Sequence, residues 1–355
     1  GELPGLVNLG GKGYLTQLAK ETPSVANIES YAEIIKQRSN LRRLITTVDQ
    51  IAQNARESDS SGSEQIIDHA EESILSLRDD AKRSSGPKGI RELLGPVYSH
   101  IQEANESGDS LVGVSTGFTE IDEITLGFQK SDLIIIAGRP SMGKTALAFN
   151  IAENVARQTD QTVLIFSMEM SAEQVVRRFI SSIANIDLQR LMRGQLQDND
   201  WEGIDKALSI LSSKKILLDD TPALSPTELR SRARRVKRED KDLAMIIVDY
   251  IGLMQVHGRS DNRVQEISEI SRSLKALAKE LDVPIVAISQ LNRAVESRPN
   301  KRPILADLRD SGAIEQDADV IVFLYRHWQY DKSDSNIKEQ AEINIAKQRN
   351  GPTGT

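Results

Sequence analysis

The sequence contains no cysteine, which excludes disulfide bonds and thiolate metal sites. It also lacks any apolar run near the ~20 residues that a membrane-spanning helix needs. The first residues do not combine a charged segment with a following apolar one, so nothing indicates secretion. We therefore expect a cytoplasmic protein that does not contact a membrane. The four histidines are scattered and lack the spacing of metal ligands: His69, His100, His257 and His327.

The chain is acidic overall, with a formal net charge of −7 at pH 7. This charge does not exclude nucleic-acid binding, which depends on local basic surface rather than on the sum. The length of 355 residues corresponds to about two domains at a prior of roughly 150 residues each. The hydrophobic fraction of 39% is somewhat low but adequate for globular cores, and the charged fraction of 27% indicates a soluble protein.

The first 80 residues have a helical pattern, because apolar residues recur three or four positions apart. One such run includes Leu41, Leu44, Val48 and Ile51. The segment Glu57–Ser63 has the composition of a loop. We predict an all-helical N-terminal domain over residues 1–80, a small bundle without catalytic chemistry of its own.

Residues 81–110 are predicted to form a linker that contains one amphipathic helix. Gly95-Pro96 kinks this helix or marks its start. Such a helix must bury its apolar stripe somewhere, either on its own domain or on a neighbouring subunit. The spacing alone favours neither alternative. The stripe consists of Ile90, Leu93, Leu94, Val97, Tyr98 and Ile101.

From residue 111 to the end, strands alternate with helices, which predicts a mostly parallel α/β sheet. The clearest helix carries its apolar residues on one side between Val264 and Leu281. The candidate strands are short apolar runs: Leu133–Ala137, Thr162–Phe166, Lys215–Leu218, Ala244–Val248, Pro284–Ile288, Val320–Tyr325 and Ile343–Ala346.

The strongest chemical signal is a phosphate-binding P-loop, which follows an apolar strand and precedes a helix. In such a loop, backbone N–H groups and the helix N-terminus surround phosphate oxygens. Lys144 is expected to reach the β- and γ-phosphates of ATP, and the Thr145 hydroxyl to bind Mg²⁺. The loop consists of Gly138, Arg139, Pro140, Ser141, Met142, Gly143, Lys144 and Thr145.

Two acidic residues are candidates for the chemistry beside the phosphates. Asp249 ends an apolar strand, where a P-loop enzyme needs the carboxylate on the Mg²⁺ side. Glu169 follows the strand Thr162–Phe166. If that strand neighbours the P-loop strand, Glu169 lies across the cleft and can act as general base toward water. The alternative, with equal support from spacing, is an ordinary acid at a helix start.

Three further residues carry weaker signals. Gln290 ends the strand Pro284–Ile288, where an amide can sense the γ-phosphate; the alternative is a polar residue that opens a loop. Lys347 and Arg349 follow the last strand. A cation there can act on the γ-phosphate of a neighbouring subunit as an arginine finger does, but spacing alone favours a solvated basic turn.

Nucleic-acid contacts are better sought in loops than in the basic helical run Arg230–Arg238, which is typical of a solvated face. The loop candidates are His257–Arg263 and Asp307–Gly312. In the second, a glycine near an arginine allows close approach of a phosphate to the backbone.

Taken together, these segments resemble the DnaB family of bacterial replicative helicases over nearly the whole chain. The N-terminal stretches at 22–28 and 31–45 also resemble that family's helical domain. The motifs that carry the resemblance, in order, are GRPSMGKT (138–145), FSMEM (166–170), IIVDYIGLM (246–254), ISQLNR (288–293), LRDSGAIEQDAD (308–319) and AKQRNGPTGT (346–355).

The resemblance implies a RecA-like motor at residues 111–355 and a homohexameric ring around single-stranded DNA. It further implies movement 5′ to 3′ driven by ATP and Mg²⁺, with primase and a helicase loader as partners. Glu169 is then the catalytic base, Gln290 the γ-phosphate sensor, and Lys347 with Arg349 the cations that act on a neighbour. The family's central-channel loop falls on Arg309, Asp310 and Gly312, and the linker helix docks on the adjacent subunit.

The resemblance also implies that the N-terminal domain is partial and that strands after Thr355 are missing. Two other functions are compatible with a P-loop ATPase of this kind. One is a recombinase-type filament that pairs DNA strands, and the other is an ATP-gated assembly scaffold. The helical N-terminal domain with its linker helix favours the helicase over the filament. The intact set of Lys144, Glu169 and Asp249 argues against a pure scaffold.

Overall fold

The computed structural model describes residues 28–57, 66, 70, 73–74, 89–107, 111–256, 263–333 and 337–355. The chain divides into two compact units, Gly1–Gly95 and Pro96–Thr355. Helix α1 spans Ile28–Glu57. The predicted loop Glu57–Ser63 lies outside the described residues from position 58 onward, as do residues 1–27. Helix α2 runs without interruption over Ile90–Ser107, through Gly95-Pro96.

A seven-stranded sheet lies at the centre of the second unit, in the order β3-β2-β4-β5-β1-β6-β7. All neighbouring strands are parallel except β6 and β7, which pair antiparallel. The predicted mostly parallel α/β core is therefore confirmed. Its strands are β1 (Leu133–Gly138), β2 (Thr162–Ser167), β3 (Ile216–Asp219), β4 (Leu243–Asp249), β5 (Ile285–Gln290), β6 (Val320–Tyr325) and β7 (Glu342–Gln348).

Helices connect the strands and cover the sheet, as parallel strands require. They are α3 (Thr119–Thr125), α4 (Lys144–Gln158), α5 (Ala172–Ala184), α6 (Leu188–Arg193), α7 (Asp198–Ser213), α8 (Pro226–Glu239), α9 (Arg263–Leu281) and α10 (Gly312–Asp317). Short 3₁₀ turns occupy Ile251–Leu253, Arg293–Ser297, Leu305–Ser311 and His327–Gln329.

The core consists of two apolar clusters, one on each face of the sheet. In β1, Leu133, Ile135 and Ala137 belong to one cluster, and Ile134 and Ile136 to the other. This alternation follows from the two-residue period of a strand. Helices α8, α9 and α10 cover the first face, and α3, α4 and α5 the second. Because both faces are buried, β1 is fully buried along its length, which explains its uninterrupted apolar run.

Candidate functional site: a nucleotide cleft at the carboxyl edge of the sheet

The P-loop joins the carboxyl end of β1 to the start of α4. A side chain on Gly138 would lie 2.9 Å from the carbonyl oxygen of Leu324, so only glycine fits there without a shift of the neighbouring strand. Gly143, directly before α4, has a φ of 98°, which favours glycine. It supplies no side-chain cap to the helix. The first N–H groups of α4 are therefore available for phosphate oxygens.

The P-loop opens onto a cavity of about 490 Å³. Five of the eight motif residues line it, while Gly138, Arg139 and Met142 do not. Met142 is buried in the apolar core. The cavity also brings together five of the predicted catalytic and metal-binding residues: Lys144, Thr145, Glu169, Asp249 and Gln290. Its full lining is Pro140, Ser141, Gly143, Lys144, Thr145, Ala146, Glu169, Arg178, Asp249, Tyr250, Ile288 and Gln290.

Lys144 points along the loop, where its Nζ donates a hydrogen bond to the carbonyl of Arg139 at 3.0 Å. Burial lowers the pKa of this ammonium, and the nearby carboxylates of Asp249 and Glu169 partly offset that effect. A bound polyphosphate would supply the negative charge that favours the protonated form.

Asp249, at the end of β4, is almost fully buried, with 1% of its surface exposed. Burial raises the pKa of its carboxyl to about 6. The Thr145 hydroxyl works against this rise, and the charge of Glu169 adds to it. Within the described part of the chain, neither Asp249 oxygen has a hydrogen-bond partner of ordinary geometry.

An unpaired buried carboxylate beside a threonine hydroxyl fits a hard cation such as Mg²⁺, which prefers oxygen ligands. The described residues contain no group of three His, Cys, Asp or Glu that could hold a metal. A Mg²⁺ ion at Asp249 and Thr145 would therefore need further oxygens from the nucleotide phosphates, as is usual for this ion.

Glu169 reaches the cleft by a different route from the one its sequence position suggested. Its strand β2 does not neighbour β1, because β4 and β5 lie between them. Instead, β2 pairs with β4, so that Ser167 lies opposite Asp249. Helix α5 begins with a capping box formed by Ser171 and Gln174. Glu169 therefore does not cap the helix, and its exposed side chain lines the cavity.

Gln290 ends β5 directly opposite Gly138 on β1, and its exposed side chain lines the cavity. The amide therefore lies beside the P-loop.

Arg178 is a residue of this site that the sequence did not reveal. It belongs to α5, which packs on α4 through Phe179 and Phe149, whose ring centroids are 5.8 Å apart. Arg178 lines the cavity, and its Nε is buried without a hydrogen-bond partner among the described residues. One feature of the sequence could have indicated Arg178. It lies beside Val175 and Phe179, which are buried, in a helix that follows the catalytic candidate Glu169.

Lys347 and Arg349 lie at the amino edge of the sheet, which is the side where the parallel strands begin. Lys347 pairs with Ile321, which in turn pairs with Ile135 in the amino-terminal half of β1. The P-loop follows the carboxyl end of the same strand. Lys347 and Arg349 therefore lie near the amino ends of the parallel strands, whereas the cleft of the same chain lies at their carboxyl ends.

Both cations contact the carboxyl end of α10. The Nζ of Lys347 donates to the carbonyls of Glu315 and Ala318, the latter at 2.7 Å. Arg349 donates to the carbonyl of Gln316 at 2.6 Å. Burial lowers the pKa of Lys347, and the charge of Arg349 contributes to the same effect.

The predicted DNA-binding residues precede or begin the same helix. The side chains of Arg309 and Asp310 lie outside the described residues, although their backbone forms part of the 3₁₀ turn Leu305–Ser311. Gly312 is the first residue of α10. The other loop candidate lies outside the described residues at 257–262. In the basic helix α8, Arg232 is paired with Asp219, and Arg230 with Glu280.

A glycine-rich loop between a buried strand and a helix, with an acid at the end of a nearby parallel strand, defines a P-loop ATPase with a RecA-like core. Comparisons with known proteins identify the family. Residues 113–355 match the DnaB-like helicase C terminal domain, and residues 2–37 match the DnaB-like helicase N terminal domain. The chain belongs to the DnaB-like replicative helicases and is an ATP-dependent DNA helicase.

Curated relatives agree with this assignment. The replicative DNA helicase DnaC of Bacillus subtilis is 48% identical over 351 residues, which cover 99% of this chain and 76% of that protein. DnaB of Geobacillus stearothermophilus is 48% identical over 353 residues, with the same coverage. The family assignment favours the helicase over the filament and scaffold alternatives.

Solved structures agree as well. The structure of a DnaB-like replicative helicase and its interactions with primase has a TM-score of 0.78 and 36% identity. That match covers 98% of this chain and 80% of the other. A second solved structure, described as an ATPase domain, has a TM-score of 0.71 and 39% identity, and the match covers 76% of this chain and 94% of that one. Within the described residues, no helix is both long and apolar enough to span a membrane.

Proposed function

We propose that this helicase is a homohexameric ring that encircles single-stranded DNA and moves 5′ to 3′ to unwind the duplex at the replication fork. The observation that carries the proposal is the placement of the P-loop and of the two cations that are predicted to act on a neighbouring subunit. The P-loop cleft opens at the carboxyl edge, whereas Lys347 and Arg349 lie at the amino edge. A head-to-tail ring brings these edges together at each subunit interface.

Hydrolysis uses the residues of the cleft in separate roles. Lys144 binds the β- and γ-phosphates, and Glu169 accepts a proton from the water that attacks the γ-phosphorus. The bond between the γ-phosphorus and the oxygen that bridges the β- and γ-phosphates breaks, which yields ADP and phosphate. Arg178 supplies a further positive charge at the phosphates. Mg²⁺ held by Thr145 and Asp249 would neutralise charge on the phosphate oxygens.

The neighbouring subunit completes the site. Lys347 and Arg349 stabilise the charge that develops on the γ-phosphoryl group of the adjacent subunit. Their contacts to the carbonyls of Gln316, in α10, and of Ala318, directly after it, hold them at the amino edge in the single chain. Gln290 senses the γ-phosphate and passes its state to the segment that follows β5.

DNA is held by the channel loop that contains Arg309, Asp310 and Gly312. Contacts to phosphates make binding tolerant of sequence and sensitive to salt.

Helix α2 docks on the adjacent subunit, which would cover an apolar stripe that is exposed in the single chain. All six residues of this stripe are exposed: Ile90, Leu93, Leu94, Val97, Tyr98 and Ile101.

A replicative role also implies a cytoplasmic location and contacts with primase and a helicase loader. A solved relative with 36% identity is described together with its interactions with primase, which supports that partner.

Polarity of unwinding tests the proposal. Labelled duplexes with a 5′ tail, a 3′ tail or both are incubated with the protein, ATP and Mg²⁺, and strand separation is measured. We expect the forked duplex to be unwound and the duplex with only a 3′ tail to remain intact. DNA-stimulated ATP hydrolysis without strand separation on any substrate would contradict the unwinding mechanism. Separation of the 3′-tailed duplex alone would contradict the direction.

A further inference from the structure

The segment between β5 and β6 folds back on itself at Asp307. The backbone N–H of Asn292 donates to the carbonyl oxygen of Asp307 at 3.2 Å. Asn292 lies two residues after Gln290, and Asp307 lies two residues before Arg309. One hydrogen bond and two short stretches of backbone therefore connect the proposed phosphate sensor to the proposed DNA-binding arginine.

The side chain of Asp307 closes the same fold. Its carboxylate is buried, with 7% of the side chain exposed. Oδ2 accepts one hydrogen bond from Arg298 at 2.7 Å and a second from the backbone N–H of Ile304 at 2.8 Å. The Arg298 guanidinium also donates to the carbonyl of Arg302 at 3.0 Å. Charge-assisted bonds of this kind are stronger than neutral ones, so they hold the segment as one unit.

The start of this segment is fixed to the P-loop. Arg139, directly after Gly138, donates to the carbonyl of Leu291 at 2.7 Å and forms an ion pair with Glu296 at 2.9 Å. Its side chain is almost fully buried, with 8% exposed. Arg139 thus ties the loop that cradles the phosphates to the residue that follows Gln290.

The segment around Asp307 also buries apolar side chains. The neighbouring Val295 and Leu308 are buried, and Leu308 belongs to the apolar cluster on the first face of the sheet. A buried ion pair is weak support for stability, because the cost of desolvating the charges offsets their attraction, and such pairs are best attested in fixing a register. The ion pair at Asp307 can fix the position of the channel loop relative to β5.

We propose that Asp307 is a positioning residue that couples Gln290 to the channel loop. A displacement of Gln290 by the γ-phosphate moves Asn292, and Asp307 with Arg298 transmits that movement to Arg309 and Gly312. The affinity for DNA then depends on the bound nucleotide. This inference rests on the proposed function, since it assumes that Gln290 senses phosphate and that the loop holds DNA.

The test is the ratio of two affinities. Binding of the whole protein to a fluorescent oligo(dT) is measured in a non-hydrolysable ATP analogue and in ADP, each with Mg²⁺. We expect Asp307→Asn to bring the ratio of the two dissociation constants toward one. The expected change is at least about fivefold, the lower end of usual coupling between sites. ATP hydrolysis without DNA should stay within about twofold of the unmodified protein, since Asp307 does not line the cleft.

A matched control lies on the same segment. Arg302 forms a bidentate ion pair with Glu342 at 2.7 and 2.6 Å, which anchors the segment to β7 without linking Asn292 to the channel loop. Glu342→Gln should leave the ratio unchanged. Arg298→Gln should have the same effect as Asp307→Asn, and the double variant should add nothing, because both changes break one contact.

Three results would overturn the inference or its basis. A folded Asp307→Asn protein with an unchanged ratio contradicts it. If that variant does not fold, Arg298→Gln, which removes the same ion pair from its other partner, decides the matter, and an unchanged ratio again contradicts the inference. If Gln290→Ala itself leaves the ratio unchanged, the sensor role in the proposed function is wrong instead.

Discussion

Arg178 and Arg177 are adjacent on α5 but face different surroundings. Arg178 lines the nucleotide cleft, whereas Arg177 is half exposed and pairs with Glu173 one turn earlier. We expect Arg178→Ala to lower kcat for ATP hydrolysis by about a hundredfold to a thousandfold, the range for removal of one donor that stabilises developing charge. Arg177→Ala should change kcat by less than about twofold, since an exposed pair contributes little. Steady-state hydrolysis measured for both variants separates the two positions, and equal losses would contradict a role for Arg178 at the phosphates.

Glu169 has a similar internal control in Glu173. Glu169 precedes the capping residue of α5 and lines the cleft, whereas Glu173 lies in the first turn of α5 and is 83% exposed. Glu169→Gln should reduce hydrolysis about a hundredfold to ten-thousandfold through loss of the general base. Nucleotide binding should persist, because the amide keeps the shape of the side chain. Glu173→Gln should hydrolyse ATP normally. Fluorescent-nucleotide titration beside a phosphate-release assay checks both points, and full hydrolysis by Glu169→Gln would exclude it as the base.

The start of α5 sets the position of both Glu169 and Arg178. Ser171 accepts a hydrogen bond from the backbone N–H of Gln174, and the Gln174 side chain accepts one from the backbone N–H of Ser171. Ser171→Ala should lower the free energy of unfolding by about 0.5–2 kcal/mol, as expected for loss of an N-cap. Ser212→Ala near the end of α7, where the hydroxyl bonds to the Ser209 carbonyl, serves as the control. Urea titrations that show equal stability for both variants would contradict the assigned cap.

The amino ends of β1 and β6 are held to α9 by a charge cluster. Lys275 donates to Asp319 and lies 3.9 Å from Asp132. Burial, with the charge of Asp319, raises the pKa of Asp132 from its ordinary value of 3.8 to about 6. A folded-state pKa above the unfolded value means that the folded state binds the proton more tightly. Stability from this group is therefore complete below about pH 4 and is lost as the pH rises through about 6.

Asp132→Asn removes this titration, because the amide stays neutral. We expect the melting temperature of the variant to exceed that of the unmodified protein at about pH 7.5, with the difference shrinking to zero near pH 4. Differential scanning fluorimetry across this range measures the difference. A variant that is less stable than the unmodified protein at the higher pH would mean that the attraction between Asp132 and Lys275 outweighs the cost of burial.

The elements of the sheet were predictable from the sequence because strands buried on both faces form continuous apolar runs. The strand Val320–Tyr325 was predicted with its observed bounds, and β1 differs by one residue. Residues at strand ends, such as Asp249 and Gln290, could be assigned to the cleft because the carboxyl ends of parallel strands meet at one edge.

The strand order and the contacts made by residues on helices were harder to predict from the sequence. The separation of β2 from β1 by two strands depends on how the crossover helices pack, which local periodicity does not encode. Arg178 belongs to no motif, and only the packing of α5 on α4 directs it into the cleft. Arg139 was assigned to nucleotide binding as part of the P-loop, but its side chain contacts Leu291 and Glu296. The roles of Lys347 and Arg349 remain predictions.

A ring in which each ATP site takes residues from two subunits predicts complementation between inactive proteins. Lys144→Ala lacks the P-loop lysine but keeps the cations, and Arg349→Ala lacks one cation but keeps the P-loop. Mixed in equal amounts and reassembled, they should restore roughly a quarter of normal hydrolysis, since a quarter of random interfaces combine both intact halves. Each variant reassembled alone is the control. No recovery on mixing, in rings of verified size, would place Arg349 outside the neighbour's site.

The central claim is that ATP bound at the P-loop drives separation of DNA strands. Unwinding of a forked duplex with a 5′ tail, measured with and without ATP and Mg²⁺, tests it most directly beside Lys144→Ala as the control. We predict strand separation that requires both ATP and Mg²⁺ and that Lys144→Ala abolishes. Unwinding that persists in Lys144→Ala, or that proceeds without ATP, would contradict the claim.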